Sequence, residues 1–363
     1  MDSSSTSGGA PAVSIVAPCY NEAECLREFH QRAAAAARGS CGDSFEIVLV
    51  DDGSRDGTWG LIEEIARQDP HVVGVRLMRN HGHQLAASAG LALARGGRVM
   101  LIDADLQDPP ELLAPMMARM DEGADVVFGQ RTARHAETWF KKATAFAFYR
   151  LLSRLAAVPI PRDTGDFRLM RRRVVDVLVA MPERQRFLRG LVSWVGGRQV
   201  ALQYERQSRF AGHSKYPLRK MIQFAVDAIT SFSVGPLRYA TYLGLIAAGL
   251  GLLLLLYTLW QWVLGATVIG WSSTMTAIVV FGAVQLIVLG IQGEYVGRLF
   301  QEAKARPLFL IDRVVAGGAD HRLPMEFSGL APGMQREVWD AVRGLEVVAA
   351  NDQDVPPGRR AGG

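Results

Sequence analysis

Residues 98–108 read Arg98-Val-Met-Leu-Ile-Asp-Ala-Asp-Leu-Gln-Asp108, and this stretch decides the fold. A short β-forming run, Arg98 to Ile102, stops abruptly in three carboxylates, Asp103, Asp105 and Asp108. The pattern recurs upstream. Val13-Ser-Ile-Val-Ala17 leads into Pro18-Cys-Tyr-Asn-Glu22, and Glu46-Ile-Val-Leu-Val50 leads into Asp51-Asp-Gly-Ser-Arg-Asp-Gly57. Val72–Leu77 and Ala124–Gly129 read as two further strands, with helices expected over 22–37, 58–68, 83–94 and 110–120. Strands alternating with helices at this spacing predict an α/β fold, a mostly parallel sheet joined by right-handed crossovers. In such sheets ligands bind beyond the carboxyl ends of the strands, where this sequence places its acids.

Carboxylates gathered at three neighbouring strand ends repel one another unless a cation or a hydrogen-bonding ligand fills the gap. Hard divalent ions meet that need: Mg²⁺ or Mn²⁺ typically takes one or two carboxylates together with phosphate oxygens. Asp103 and Asp105, two residues apart, can present such a pair. The chain contains neither a P-loop nor a G-x-G-x-x-G, which removes the main support for a nucleoside triphosphatase or a dinucleotide enzyme.

Composition adds a second element. The 363 residues are 49% apolar and carry 40 Lys+Arg against 36 Asp+Glu, a net charge of +4, which excludes a disordered or collagenous chain. The charges are unevenly spread. Residues 239–293 contain no Asp, Glu, Lys or Arg, whereas 162–220 contain 14 Lys+Arg and 5 Asp+Glu, an excess of +9. Two spans, 239–264 and 274–297, are each long enough to cross the ~30 Å hydrocarbon layer of a bilayer. Tyr257, Trp260, Trp262 and Trp271 suit one interface. Basic residues flank the pair (Lys215, Arg219, Lys220 and Arg238 before; Arg298, Lys304, Arg306 and Arg313 after), which places both ends in the cytoplasm by the positive-inside rule. Amphipathic stretches at Trp139–Leu155 and Leu218–Phe232 suit either a headgroup plane or the protein core. Cys19, Cys25 and Cys41 form neither a disulfide framework nor a zinc motif, and no cleavable signal peptide is legible.

Taken in order, P-x-Y-N-E at 18–22, D-D-G-S-x-D-G-T at 51–58 and D-A-D-L-Q-D-P-P-E at 103–111 resemble the family 2 glycosyltransferases of the GT-A fold. Phe128-Gly-Gln-Arg131, Asp163-Thr-Gly-Asp-Phe-Arg-Leu169, Glu183–Gly190, Arg209–Tyr216 and Ile229–Ser233 narrow the resemblance to the polyprenyl-phosphate glycosyltransferases, including the bactoprenol glucosyl transferases and dolichol-phosphate mannosyltransferase. The likeness runs from about Val13 to Arg313. His213 and Gly97 depart from the family pattern. The implied organisation is a disordered start (1–11), a cytoplasmic GT-A domain (12–212), an interface helix (213–238), a two-helix transmembrane hairpin (239–264 and 274–297) and a C-terminal segment (298–363) with a disordered end.

The resemblance also implies roles. Pro18, Tyr20, Glu22, Asp51, Asp52 and Asp103 would bind the nucleotide sugar, best read as UDP-glucose. Asp103, Asp105 and Gln107 would hold the Mg²⁺ or Mn²⁺, Asp105 and Arg131 would act in catalysis, and Arg131, Arg209, Ser214 and Lys215 would bind the acceptor phosphate. The acceptor would be undecaprenyl or another polyprenyl phosphate in the bacterial inner membrane. Its second pKa near ~6 makes it largely dianionic and already nucleophilic at neutral pH. Asp166, then Asp163, is the candidate general base. A single displacement predicts inversion and a product for surface-glycan modification. Mannose, N-acetylhexosamine or amino-arabinose donors are alternatives. A processive polysaccharide synthase shares the first three motifs but needs Q-x-x-R-W and more spans. A non-catalytic membrane scaffold would not need the D-A-D-L-Q set. No nucleic-acid fold signal accompanies the basic block. Members with this hairpin can assemble into homo-oligomers.

Overall fold

The computed structural model describes residues 10–132, 164–205, 235–265, 270–317 and 319–321. Asp163, Arg209, Ser214, Lys215, the two amphipathic stretches and most of both termini lie outside the described residues.

Nine strands form one sheet: β1 (Val13–Cys19), β2 (Phe45–Asp51), β3 (Val72–Leu77), β4 (Arg98–Leu101), β5 (Val126–Arg131), β6 (Thr164–Arg171), β7 (Gln199–Tyr204), β8 (Ile311–Ala316) and β9 (Ala319–His321). Their order is β7-β5-β6-β4-β1-β2-β3-β8-β9. The central four, β3-β2-β1-β4, are mutually parallel, while β6, β8 and β9 pair antiparallel to their neighbours. β1 and β2 are buried at every position, as expected of parallel strands covered on both faces.

On one face, α1 (Leu26–Cys41), α2 (Thr58–Gln68) and α4 (Leu113–Asp121) join the alternate β1 and β2 residues Val13, Ile15, Ile47 and Leu49 in the core through Leu26, Phe29, Ile62 and Met116. α3 (His83–Leu93) covers the same two strands from the other side. It comes close because it is Ala-rich and has Gly90 at the contact: a Cβ there would lie 2.4 Å from Cγ1 of Val16. α5 (Arg172–Ala180) and α6 (Leu188–Val195) follow β6.

After β1 the chain builds outward through β2 and β3, then returns for β4 on the opposite side of β1. That reversal opens a crevice at the carboxyl ends of β1 and β4, the usual ligand position of an open α/β sheet. The expected strands and helices of residues 13–129 are thus present. β6, β7 and β8 were not foreseen. Within 298–363, residues 311–316 form β8, antiparallel to β3, through partners such as Val75 and Val314.

A second compact unit contains two long apolar helices, α7 (Gly235–Val263) and α8 (Trp271–Ala303). They pack on each other, with Gly251 of α7 facing the Phe281 ring. Both have the length and composition to cross a membrane, and their most apolar windows are unburied. α8 has 33 residues, about 50 Å of helix. It therefore extends past Arg298, which pairs with Glu294 one turn earlier (2.9 Å).

Candidate active site

The strand ends converge as the sequence suggested, and each is held by a specific backbone device. Asn21 adopts a left-handed conformation (φ 56°), and its side chain accepts from the Arg55 N–H (2.9 Å). Its own N–H donates to Ser54 Oγ (3.0 Å), while the Glu22 N–H donates to Thr58 Oγ1 (2.9 Å). The loops after β1 and β2 are thereby laced together. Tyr20 is 44% exposed at the rim, available to stack on a planar ligand.

Asp51 is fully buried. Its Oδ1 accepts the Ser54 N–H (3.1 Å), whereas its Oδ2 has no hydrogen-bond partner among the described residues and lies 3.9 Å from Arg76. Asp52 is used differently. Both its oxygens accept backbone N–H groups of the loop after β3, from His81 (2.7 Å) and Gly82 (2.9 Å). Gly53 (φ 66°) permits this, because a Cβ would come within 2.6 Å of the Asn80 nitrogen. Asp52 thus clamps the start of α3.

After β4, Leu106 takes a left-handed conformation (φ 60°) while buried, and the Gln107 N–H donates to Asp105 Oδ1 (3.2 Å). A non-glycine residue held at positive φ stores local strain, a common feature of functional loops. The turn sets Asp103, Asp105 and Gln107 at the mouth of the crevice.

Asp166 reaches the same place from β6. The antiparallel register pairs Leu101 with Arg168, so two residues further on Asp166 stands beside Asp103. Its Oδ2 accepts from Gln84 Nε2 (2.7 Å), and Arg168 and Arg189 each approach to 3.7 Å. His83 lies between the two acids, with Nε2 3.4 Å from Asp103 and 3.5 Å from Asp166.

Burial and neighbours drive these ionisations apart. Burial opposes ionisation of Asp103, and the nearby Asp166, Asp108 and Asp105 carboxylates add to it against the help of His83, so its carboxyl is pushed up to about 6. Asp166 is also buried, but His83, Arg189 and Arg168 outweigh that and hold its carboxyl well below the usual range. Burial lowers His83, yet the hydrogen bond to Asp166 and the charges of Asp103 and Asp166 win, raising it to about 9. His83 is a cation at neutral pH among the acids. Neither His83 nor Gln84 was singled out from sequence. The available signal was His81-Gly-His-Gln84, which follows β3 as the acidic motifs follow the other strands.

Arg131 ends β5 with its guanidinium half-buried, Nε 3.3 Å from Tyr204 Oη and Nη2 3.8 Å from Asp108 Oδ2. Among the described residues no group of three or more His, Cys, Asp or Glu converges as a self-sufficient metal site. The arrangement suits instead an ion shared with a ligand: two hard carboxylates, Asp103 and Asp105, where burial, with the neighbouring acids adding to it, makes Asp103 hold a proton more tightly.

This geometry coincides with two matches to known families. Residues 14–179 match glycosyl transferase family 2, and residues 235–299 match the GtrB C-terminal hairpin. The chain is 44% identical over 301 residues to an uncharacterized glycosyltransferase of Bacillus subtilis (strain 168), covering 83% of this chain and 93% of that one. The chain belongs to glycosyl transferase family 2. It is an enzyme of the GT-A fold with a C-terminal helical hairpin that associates it with a membrane. Within the family it is 38% identical over 306 residues to the prophage bactoprenol glucosyl transferase homolog of Escherichia coli (strain K12), covering 83% of this chain and 99% of that one. It is 39% identical over 303 residues to the bactoprenol glucosyl transferase of Shigella phage SfV, covering 82% and 97%.

Proposed function

We propose that this glycosyltransferase moves glucose from UDP-glucose to a polyprenyl phosphate at the cytoplasmic face of a bacterial inner membrane. The observation that carries the reading is the likeness to bactoprenol glucosyl transferases along more than four-fifths of the chain, hairpin included.

The crevice supplies matching chemistry. Tyr20, Pro18 and Glu22 border the space for the nucleoside, with Asp51 offering a buried acceptor at Oδ2. Asp103, Asp105 and Gln107 would hold Mg²⁺ or Mn²⁺, which when bound stabilises the negative charge that develops on the departing nucleoside diphosphate. Arg131 would meet the incoming phosphate, and Arg209, Ser214 and Lys215, in the sequence motif that follows β7, are assigned to the same group from sequence alone. The acceptor's phosphate oxygen attacks C1 as the bond to the diphosphate breaks, inverting the configuration there. A dianionic phosphate needs no proton removed. Asp166, so strongly stabilised as an anion, is a poor proton acceptor, and we assign it to orienting His83, Arg168 and Arg189 rather than to general-base catalysis.

Chain tracing supports a two-span topology. β7 precedes the helical pair and β8 follows it, yet both belong to one sheet. If α7 and α8 each cross the bilayer, both flanks lie on the same side, and their Arg and Lys content makes that side cytoplasmic.

The test is to reconstitute the full chain in liposomes with undecaprenyl phosphate and offer UDP- and GDP-sugars in turn, with and without Mn²⁺. Mass spectrometry should find a β-linked hexosyl phospholipid from UDP-glucose alone, formed only with the metal. A product from GDP-mannose, UDP-N-acetylhexosamine or the amino-arabinose donor would reassign the sugar, and an α-linked glucose would overturn the single displacement.

A further inference from the structure

Arg131 and Tyr204 are register partners at the adjoining ends of β5 and β7. Tyr204 carries its phenol into a buried polar chain. Its hydroxyl donates to Asp108 Oδ1, and its oxygen accepts from Arg131 Nε at 3.3 Å. Asp108 is 1% exposed, and its second oxygen lies 3.8 Å from Arg131 Nη2. Burial, with Asp108 alongside, pushes the Tyr204 hydroxyl well above its ordinary value, so it stays protonated and donating.

The surrounding backbone makes room for this arrangement. A Cβ at Gly165 would lie 2.7 Å from Nη2 of Arg131, and a Cβ at Gly129 would lie 2.8 Å from the Tyr204 ring and 2.6 Å from Phe167. Phe167 meets the Tyr204 ring edge-on, with centroids 5.6 Å apart. Glycines thus stand where the guanidinium and the phenol press on strand backbone. The Nε–Nη2 edge of Arg131 is turned inward, and among the described residues nothing engages Nη1.

We propose that Tyr204 is a positioning residue for the transfer reaction. Through Asp108 it fixes the inner edge of the Arg131 guanidinium, so that the Nη1 side meets the acceptor's phosphate monoester already oriented. This rests on the acceptor class proposed above. The physical gain is entropic: a free arginine side chain loses rotamer freedom when ordered, and here the fold has ordered it before the ligand arrives.

Tyr204→Phe tests it, because the ring and its packing remain and only the hydroxyl goes. In proteoliposomes the KM for undecaprenyl phosphate should rise about tenfold, the worth of a charge-assisted hydrogen bond, while the KM for UDP-glucose stays within about twofold. Introduced into Arg131→Ala, the same change should have no further effect, since the tyrosine acts through the arginine. Binding of farnesyl phosphate to the detergent-solubilised full chain, followed by calorimetry, should show the same pattern without any turnover. Equal losses in both backgrounds, or a matching rise in the donor KM, would reduce Tyr204 to a core aromatic and overturn the proposal. Should Tyr204→Phe fold poorly, Gly165→Ala, which crowds Nη2 directly, should weaken farnesyl phosphate binding by a similar factor; unchanged binding would count against the idea. A chain that binds farnesyl phosphate in this pattern yet glycosylates no lipid would refute the glucosyl-transfer reading and leave the positioning role standing.

Discussion

The two ends of the central sheet bury carboxylates in opposite ways. At the amino end, Glu46 is 1% exposed and completely served: its oxygens accept from Ser14 Oγ (2.6 Å), the Arg95 N–H (2.6 Å) and Arg95 Nε (2.8 Å). Ser14 Oγ in turn accepts the Gly96 N–H (2.7 Å), and Gly96 must be glycine because a Cβ would sit 2.5 Å from the Ser14 nitrogen. One acid there ties β1, β2 and the approach to β4 together. At the carboxyl end, His83 lies within 3.5 Å of both Asp103 and Asp166, and burial, with the charges of Asp166, Asp108 and Asp105 added to it, pushes the Asp103 carboxyl up to about 6. A satisfied buried acid is a structural rivet, whereas acids drawn so close that one of them resists ionisation mark a candidate functional site.

The largest test of that contrast is Asp105→Ala. On the proposed metal-binding role, losing this carboxylate should cut glycolipid formation by about 10³-fold or more, with the thermal midpoint essentially unchanged. A comparable loss of stability would make the cluster structural after all. Glu46→Gln should do the reverse. It strips the charge from a buried pair and should cost about 2–3 kcal/mol in urea unfolding, at the low end for such pairs because Arg95 is one-third exposed, while activity per folded molecule is retained.

The smallest effect is a pH dependence. In the proposed role of Asp103, Mn²⁺ binds its ionised form, so protons compete with the ion below about 6. The Mn²⁺-induced rise in melting temperature should therefore shrink as pH falls from 7 to 5, with roughly a tenfold loss of apparent affinity by one unit below that value. It should vanish in Asp105→Ala. A metal shift independent of pH would remove Asp103 from the ion's ligands.

Much of the site was legible because its signals are local. Alternating apolar runs located β1 to β5, and acids at their ends located Asp51, Asp103 and Asp105. Asp52 shows the limit. Its sequence position beside Asp51 suggests a ligand contact, and only the fold shows that its oxygens also accept the His81 and Gly82 N–H groups. His83 and Gln84 escaped notice because their meaning depends on Asp166, some 80 residues away, and Tyr204 because its partners come from β5 and the loop after β4.

The sequence by itself determined the periodicities, the strand-end acids and the charge-free run that forms the helical pair, since each depends on residues a few positions apart. Tertiary structure alone decided which acids are rivets, as Glu46 is, and which gather at the candidate site. It also decided that the chain after the helical pair adds β8 beside β3, and that Asp166 lies beside Asp103. Those outcomes depend on pairing register and burial, which bring distant residues into one low-dielectric space where unmet charge is expensive.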